Sequence, residues 1–218
     1  MPAETFFNLG KKKRQKIIEA AQEEFANHSF SESSVSGIIE KADIPRGSFY
    51  QYFTDLEDTY KYVMKLLAQK KMEFFKQRLS EFEEMDTFPL IRKLYRLGIE
   101  FINSHPRLGA LGNNFLKEER EFKKRVIENF QGLSLNFYEK IIQRGRERGE
   151  IDKEVNISVL TNMLIQMNVF LLDYYIEQYS GRTSKDKPLE DMGQYLELVD
   201  DMLYIFEKGI RSRNKIEN

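Results

Sequence analysis

The stretch Ser33 to Phe53 reads SSVSGIIEKADIPRGSFYQYF, and its residue types suit contact with a polyanion. Arg46, Gly47 and Ser48 open its second half with small and cationic groups. Gly47 lets a backbone approach a phosphate closely. Ser48 donates to phosphate or meets a base edge, and Arg46 suits phosphate or, through two hydrogen bonds, guanine. Gln51 matches the N6 and N7 edge of adenine. Tyr50 and Tyr52 offer phenolic donors to phosphates, and Ser34 and Ser36 add hydroxyls from the first half. Phe49 and Phe53, four apart, are expected to face inward. Ahead lies Lys11-Lys12-Lys13-Arg14-Gln15-Lys16, five cations with no acid between them. Such a run at a helix start, with Lys11, Lys12 and Arg14 as the named candidates, can straddle a phosphate backbone.

These groups need elements to hold them. Ser33 is suited to cap a short helix by accepting from orphan backbone N–H groups. Val35, Ile38 and Ile39 give that helix an apolar face. Ala42-Asp43-Ile44-Pro45 makes a tight turn, since Asp tolerates the left-handed conformation and Pro45 needs no backbone donor at a helix start. A second short helix runs through Phe53. The longer helix Lys12–Asn27 stands in front, with Ile17, Ala21 and Phe25 recurring every fourth residue. Together they make a three-helix unit of helix-turn-helix type.

Ile17–Phe25 followed by Ser33–Phe53 resembles the N-terminal region of TetR/AcrR-family repressors. The resemblance covers about a quarter of the chain. It rests on Ala42-Asp43-Ile44 and on Arg46-Gly47-Ser48-Phe49-Tyr50-Gln51-Tyr52-Phe53, with Asp43 where the family usually has glycine. Arg148-Gly149-Glu150-Ile151-Asp152 is a weaker echo of the turn before the family's dimerisation helices. One departure is Leu56 in Asp55-Leu56-Glu57-Asp58, where the family usually places a phosphate-contacting lysine. That shifts the expected phosphate contact toward Lys11–Lys16.

Composition narrows the alternatives. In 218 residues, 41% are hydrophobic and 32% charged, enough for a core and too apolar for a disordered chain. Cysteine is absent, so disulfides and thiolate metal sites are excluded and a cytoplasmic home is expected. His28 and His105 lack ligand spacing, and no nucleophile–base pair or glycine-rich phosphate loop is present. The expectation is therefore no enzyme, no metal and no cofactor. Met1-Pro2-Ala3-Glu4 lacks the layout of a signal peptide. Net charge is −1, so nucleic-acid affinity must come from local patches. Val155–Leu172 is uncharged, but Asn156, Ser158, Thr161, Asn162, Gln166 and Asn168 interrupt it. Such groups are costly in lipid, and a helix buried on two sides is expected rather than a membrane span.

Helical periodicity recurs along the whole chain, giving an all-α fold of about nine helices. The expected domains are residues 1–54, the helix-turn-helix unit, and 55–218, a regulatory and dimerisation half. Leu56–Glu84 is expected to be the one segment touching both. Acidic pairs such as Glu118-Glu119 are expected to be solvated. The resemblance implies an inducer cavity in the larger half, and Phe101, Phe115, Phe137, Met163, Met167 and Phe170 are its expected lining. Such walls suit a lipophilic small molecule. Leu189, Met192, Leu196, Val199, Leu203 and Phe206 recur at spacings of 3 and 4, with a second stripe of Tyr195, Leu198, Met202 and Ile205. The first stripe is the expected homodimer interface, paired with the uncharged helix before it.

The expected function is a regulator that grips double-stranded operator DNA and releases it when a small-molecule effector binds. Two alternatives stand beside it. One is an architectural or division-related DNA-binding protein without an inducer. The other is a ligand-binding helical protein with a vestigial DNA-binding head.

Overall fold

The structure, a computed structural model, describes residues 1–82, 84–179 and 192–210. Among them are eleven α-helices and no extended strand. In chain order they are α1 Glu4–Phe7, α2 Lys11–Asn27, α3 Val35–Ala42, α4 Arg46–Tyr52, α5 Leu56–Leu79 and α6 Thr87–Ser104. There follow α7 Pro106–Lys117, α8 Arg120–Ile127, α9 Gln131–Glu147, α10 Ile157–Tyr179 and α11 Met192–Ile210. Two helices exceed the nine expected. One turn of α1 is too short to show a period. The stretch 118–148 divides in two where Asn129 turns its amide back onto the Arg125 and Val126 carbonyls, at 2.8 and 3.3 Å. That local bond competes with continuing the helix.

The boundaries follow local chemistry. Asp43 ends α3 in the left-handed region at φ 54°. Asp55 accepts the Asp58 N–H at 2.7 Å, capping α5, while Asp58 accepts the Thr54 N–H at 3.2 Å. His105 precedes α7, whose first residue is Pro106.

The chain divides into two compact units, residues 1–71 with 102–131, and residues 72–101 with 132–218. In the first, Ile17, Phe25, Ile38, Phe49, Phe53, Tyr60, Leu111 and Val126 form a continuous buried core. Helices α7 and α8 therefore share a core with the helix-turn-helix. Asn114 of α7 donates to the Phe25, Ala26 and His28 carbonyls at 3.0–3.2 Å, satisfying the end of α2. Glu118 accepts the Phe30 N–H at 2.7 Å, and Phe30 stacks on Phe122 at 4.4 Å. Two expectations are corrected here. Glu118 is a structural acceptor, because an N–H at the end of a loop needs one. Leu56–Glu84 is not the one segment beyond residue 54 that meets the head, since α7 and α8 pack on it.

In the second unit, Leu90, Ile91, Leu94, Leu97 and Phe101 of α6 are buried with Phe75, Phe137, Ile142, Leu164, Tyr175 and Val199. The Thr87 N–H donates to Glu150 at 2.6 Å. Gly145 permits close approach there, since a Cβ on it would overlap the Thr87 hydroxyl.

Helix α10 is long and apolar enough to cross a membrane by length and composition, with mean hydropathy 1.2. Leu160, Leu164, Leu171 and Tyr175 turn inward, while Val159, Met163, Phe170 and Tyr174 are exposed. The expected burial on two sides is thus met on one side within a chain. On α11, Tyr195, Val199, Met202, Leu203 and Phe206 are buried, while Tyr204 and Ile205 are 61% and 70% exposed. The stripe expected to meet a partner is corrected accordingly. Val199, Leu203 and Phe206 pack within their own chain, and Leu196 is half-buried beside them. Leu189 and the side chain of Met192 lie outside the described residues, as does the polar loop at 181–187.

Candidate nucleic-acid interface

Helices α2 and α3 are locked together by a buried carboxylate. Glu24, 4% exposed, accepts the Ser34 N–H at 3.0 Å and the Lys41 ammonium at 3.1 Å. A buried charge is tolerated only when paired and hydrogen-bonded, and both conditions hold here. Gly37 makes the arrangement possible, since a Cβ there would overlap the carboxylate. The helix cap is Ser34, which accepts the Gly37 N–H at 3.0 Å, one residue beyond the position expected. Ser33 instead donates to the Ser29 carbonyl at 2.8 Å. A hydroxyl in either position could cap by sequence. The extended backbone at Ser34 decides it.

The inner face of α4 is Phe49 and Phe53, fully or nearly buried as expected. Its outer face presents Arg46, Gly47, Tyr50 and Gln51, all exposed, with Ser48 half-buried. Arg46 donates to the Ser36 hydroxyl of α3 at 3.2 Å, and its guanidinium lies 5.9 Å from the Tyr50 ring. Ser36, Arg46 and Tyr50 are thereby brought into one patch across both helices of the motif. Such a patch offers a fork of donors and a phenol on a rigid support, with Gln51 on the following turn.

Three candidates are placed differently. Tyr52 is 5% exposed and packs against Phe6 at 6.0 Å, so it serves the core rather than offering a phosphate donor. The reason is α1, which covers that side of α4. Ser34 keeps an exposed position, but its hydroxyl is engaged as the cap. Arg14 is half-buried and donates to the Phe7 carbonyl at 2.8 Å. Lys11 and Lys12 are exposed at the start of α2, whose first turn holds no acid.

The expected effector lining is dispersed. Phe101 and Phe137 are buried in the second unit, against Phe74 at 5.5 Å and Phe75 at 6.0 Å. Phe115 belongs to the core of the first unit. Met167 is half-buried, and Met163 and Phe170 are exposed on the outer face of α10. Periodicity had marked these last two as apolar without saying which way they point. The same unit holds a polar interior that the spacing did not reveal. Tyr95 and Tyr195 pack at 6.2 Å and Tyr175 and Tyr195 at 5.7 Å, and burial holds the Tyr95 and Tyr195 phenols well above their ordinary pKa. They are neutral donors at any physiological pH.

Comparison with known proteins agrees with this geometry. Residues 17–59 match the family of bacterial regulatory proteins, tetR family, a span running from the body of α2 to the first turn of α5. The chain is 25% identical over 154 residues to the probable acrEF/envCD operon repressor of Escherichia coli strain K12, covering 68% of this chain and 69% of that one. A TetR family transcriptional regulator from Chloroflexus aurantiacus J-10-fl shares 26% identity, with a TM-score of 0.56, over 98% of this chain and 100% of its own. The transcriptional regulator FadR from Bacillus subtilis, solved in complex with stearoyl-CoA, shares the fold with a TM-score of 0.61 at 18% identity. It covers 90% of this chain and 99% of its own. A three-helix head with an outward-facing second motif helix, on an all-helical body that matches solved regulators along nearly its whole length, makes this chain similar to TetR-family transcriptional regulators, with the family's own DNA-binding segment at residues 17–59.

Proposed function

We propose that the protein is a dimeric repressor that reads a palindromic operator through α3 and α4 and releases it on binding a lipophilic acyl thioester. The observation carrying the DNA-reading part is the exposed patch of Ser36, Arg46, Tyr50 and Gln51, backed by buried Phe49 and Phe53. Arg46 and Gln51 read base edges, each worth roughly 1–3 kcal/mol of discrimination. Gly47, Ser48, Tyr50, Lys11 and Lys12 hold the backbone and set the register.

The dimer is formed by the outer faces of α10 and α11. Val159, Met163, Phe170, Tyr174, Tyr204 and Ile205 are all exposed in the single chain. Large apolar side chains in rows on two neighbouring helices exceed what isolated surface residues explain. A second copy covers them with the same face, as two-fold symmetry requires.

The effector class is drawn from FadR, a fold relative solved with stearoyl-CoA. In this chain Phe101, Phe137 and Met167 supply apolar walls in the second unit, and Tyr95 and Tyr195 supply donors. Helix α5 is the transmitting element, since its residues 56–71 belong to the first unit and 72–79 to the second. A coupling of about 1–3 kcal/mol suffices, and by linkage the operator weakens the effector by the same factor.

The test is selection of bound duplexes from a randomised pool by the purified protein, followed by competition with stearoyl-CoA. A palindromic consensus should emerge, and Arg46→Ala or Gln51→Ala should change it, while Lys12→Ala weakens all duplexes alike. Absence of any consensus at moderate salt refutes the operator reading. Tight acyl-CoA binding with unchanged operator affinity refutes the effector reading alone.

A further inference from the structure

Helix α4 is seven residues long, and a helix leaves its last four carbonyls without partners of its own. The Phe49 carbonyl accepts from the Phe53 N–H at 2.9 Å. Two others are satisfied from outside the motif. The Thr5 hydroxyl donates to the Gln51 carbonyl, and the Ala3 N–H donates to the Tyr52 carbonyl at 2.8 Å. Between them Phe6 is fully buried, with its ring 6.0 Å from Tyr52, 5.0 Å from Phe53 and 5.5 Å from Tyr62. At the far end of the same segment, the Phe7 carbonyl accepts from Arg14 of α2 at 2.8 Å. Residues 3–9 therefore run from the end of the base-facing helix to the start of the cationic helix, and are bonded to both.

We infer that this segment is a positioning brace that fixes Gln51 relative to Lys11–Arg14 and so sets sequence discrimination. The inference rests on the DNA-reading function proposed above. Its logic is a difference in tolerance. A lysine attracts a phosphate by a Coulomb energy that falls only as the inverse of distance, so slack of an ångström costs little. A side-chain hydrogen bond to a base edge fails within a few tenths of an ångström and beyond modest angular error. Loosening the brace therefore removes discrimination and spares general affinity. Ala3, Thr5 and Phe6 touch no base in this scheme; they act through the placement of Gln51.

The experiment uses the full chain with Thr5→Val, Thr5→Ser, Phe6→Ala and Phe6→Leu. Affinities are measured for the selected duplex and for a random duplex in the same buffer, at a temperature where circular dichroism shows each variant folded. Thr5→Val and Phe6→Ala should lower the ratio of the two affinities by about tenfold, the scale of one lost base contact, with random-duplex affinity nearly unchanged. Thr5→Ser and Phe6→Leu should restore the ratio. If Thr5→Val leaves the ratio intact, or if both affinities fall in parallel, α1 only stabilises the head and the brace is refuted. A wild-type protein with no preference for any duplex defeats the DNA-reading function itself, a result seen on the unaltered chain and so distinguishable from failure of the brace.

Discussion

Asn114 offers the most direct test of how the head is held. Its side-chain nitrogen lies 3.1, 3.0 and 3.2 Å from the carbonyls of Phe25, Ala26 and His28. An amide carries two donors, so the three acceptors share them. Asn114→Leu keeps the volume and removes both donors. Leaving a buried acceptor unpaired costs roughly 1–3 kcal/mol, and solvent can reach His28, so a total near 2–3 kcal/mol is expected. The assay is urea unfolding followed by circular dichroism, at equal protein concentration because the stability of the proposed dimer would depend on it. Glu118→Gln provides the second arm, since Glu118 holds the neighbouring Phe30 N–H from the end of the same helix. Residues that secure one loop together should couple, with the double variant departing from additivity by about 0.5 kcal/mol or more. A cost for Asn114→Leu below about 0.5 kcal/mol would mean that water replaces the amide, and the claim that α7 anchors α2 would fail.

Ile205→Glu and Phe170→Glu should yield monomers in sedimentation without loss of helicity, because both side chains are exposed in the single chain. Phe206→Ala, buried within the chain, should instead cost about 3–5 kcal/mol of stability and leave the proposed dimer intact. Gly37→Ala should destabilise the head by driving a methyl into the Glu24 carboxylate, and Glu24→Ala in the same chain should relieve the clash; equal unfolding midpoints for Gly37→Ala and wild type would show that the carboxylate moves freely. Tyr60 is fully buried with a hydroxyl that finds no partner among the described residues, and burial raises its pKa far above the ordinary value. Tyr60→Phe should therefore be neutral or stabilising by about 1 kcal/mol in denaturant unfolding, and a clear loss of stability would reveal an unsuspected hydroxyl contact.

The head was legible because its signals are local. Asp43 at the turn, Pro45 before α4 and the four-residue spacing of Phe49 and Phe53 each constrain one backbone conformation or one face, and the structure meets all three. Tyr52 escaped because its exposure depends on a segment forty-six residues earlier. Nothing in Arg46–Phe53 announces that Phe6 will cover one side of α4. Thr5, Asn114 and Glu118 escaped for the same reason. Each satisfies a backbone group far away in sequence, and a hydrogen bond to a main-chain carbonyl or N–H leaves no trace in the residue type of its partner. Four residues of α1 show no period, so the element that braces α4 was the one least visible.

The body was harder because two of its helices carry large apolar residues on more than one side. On α11 the inner face is built from Tyr195, Val199, Met202, Leu203 and Phe206. Three of these come from the first stripe that the sequence suggested and two from the second, so the inner face draws on both. A rhythm of 3 and 4 fixes the rotation of a helix only when polar residues mark the opposite side, and here Tyr204 and Ile205 stand where such residues would be. The same holds on α10, where Leu164 points in and Met163 points out, one residue apart. Apolar residues on an outward face have a cost that a monomer would have to bear in water. That cost is what the sequence does record. It supports the dimer proposed above, while the packing of the second unit tells which side of each helix is left exposed.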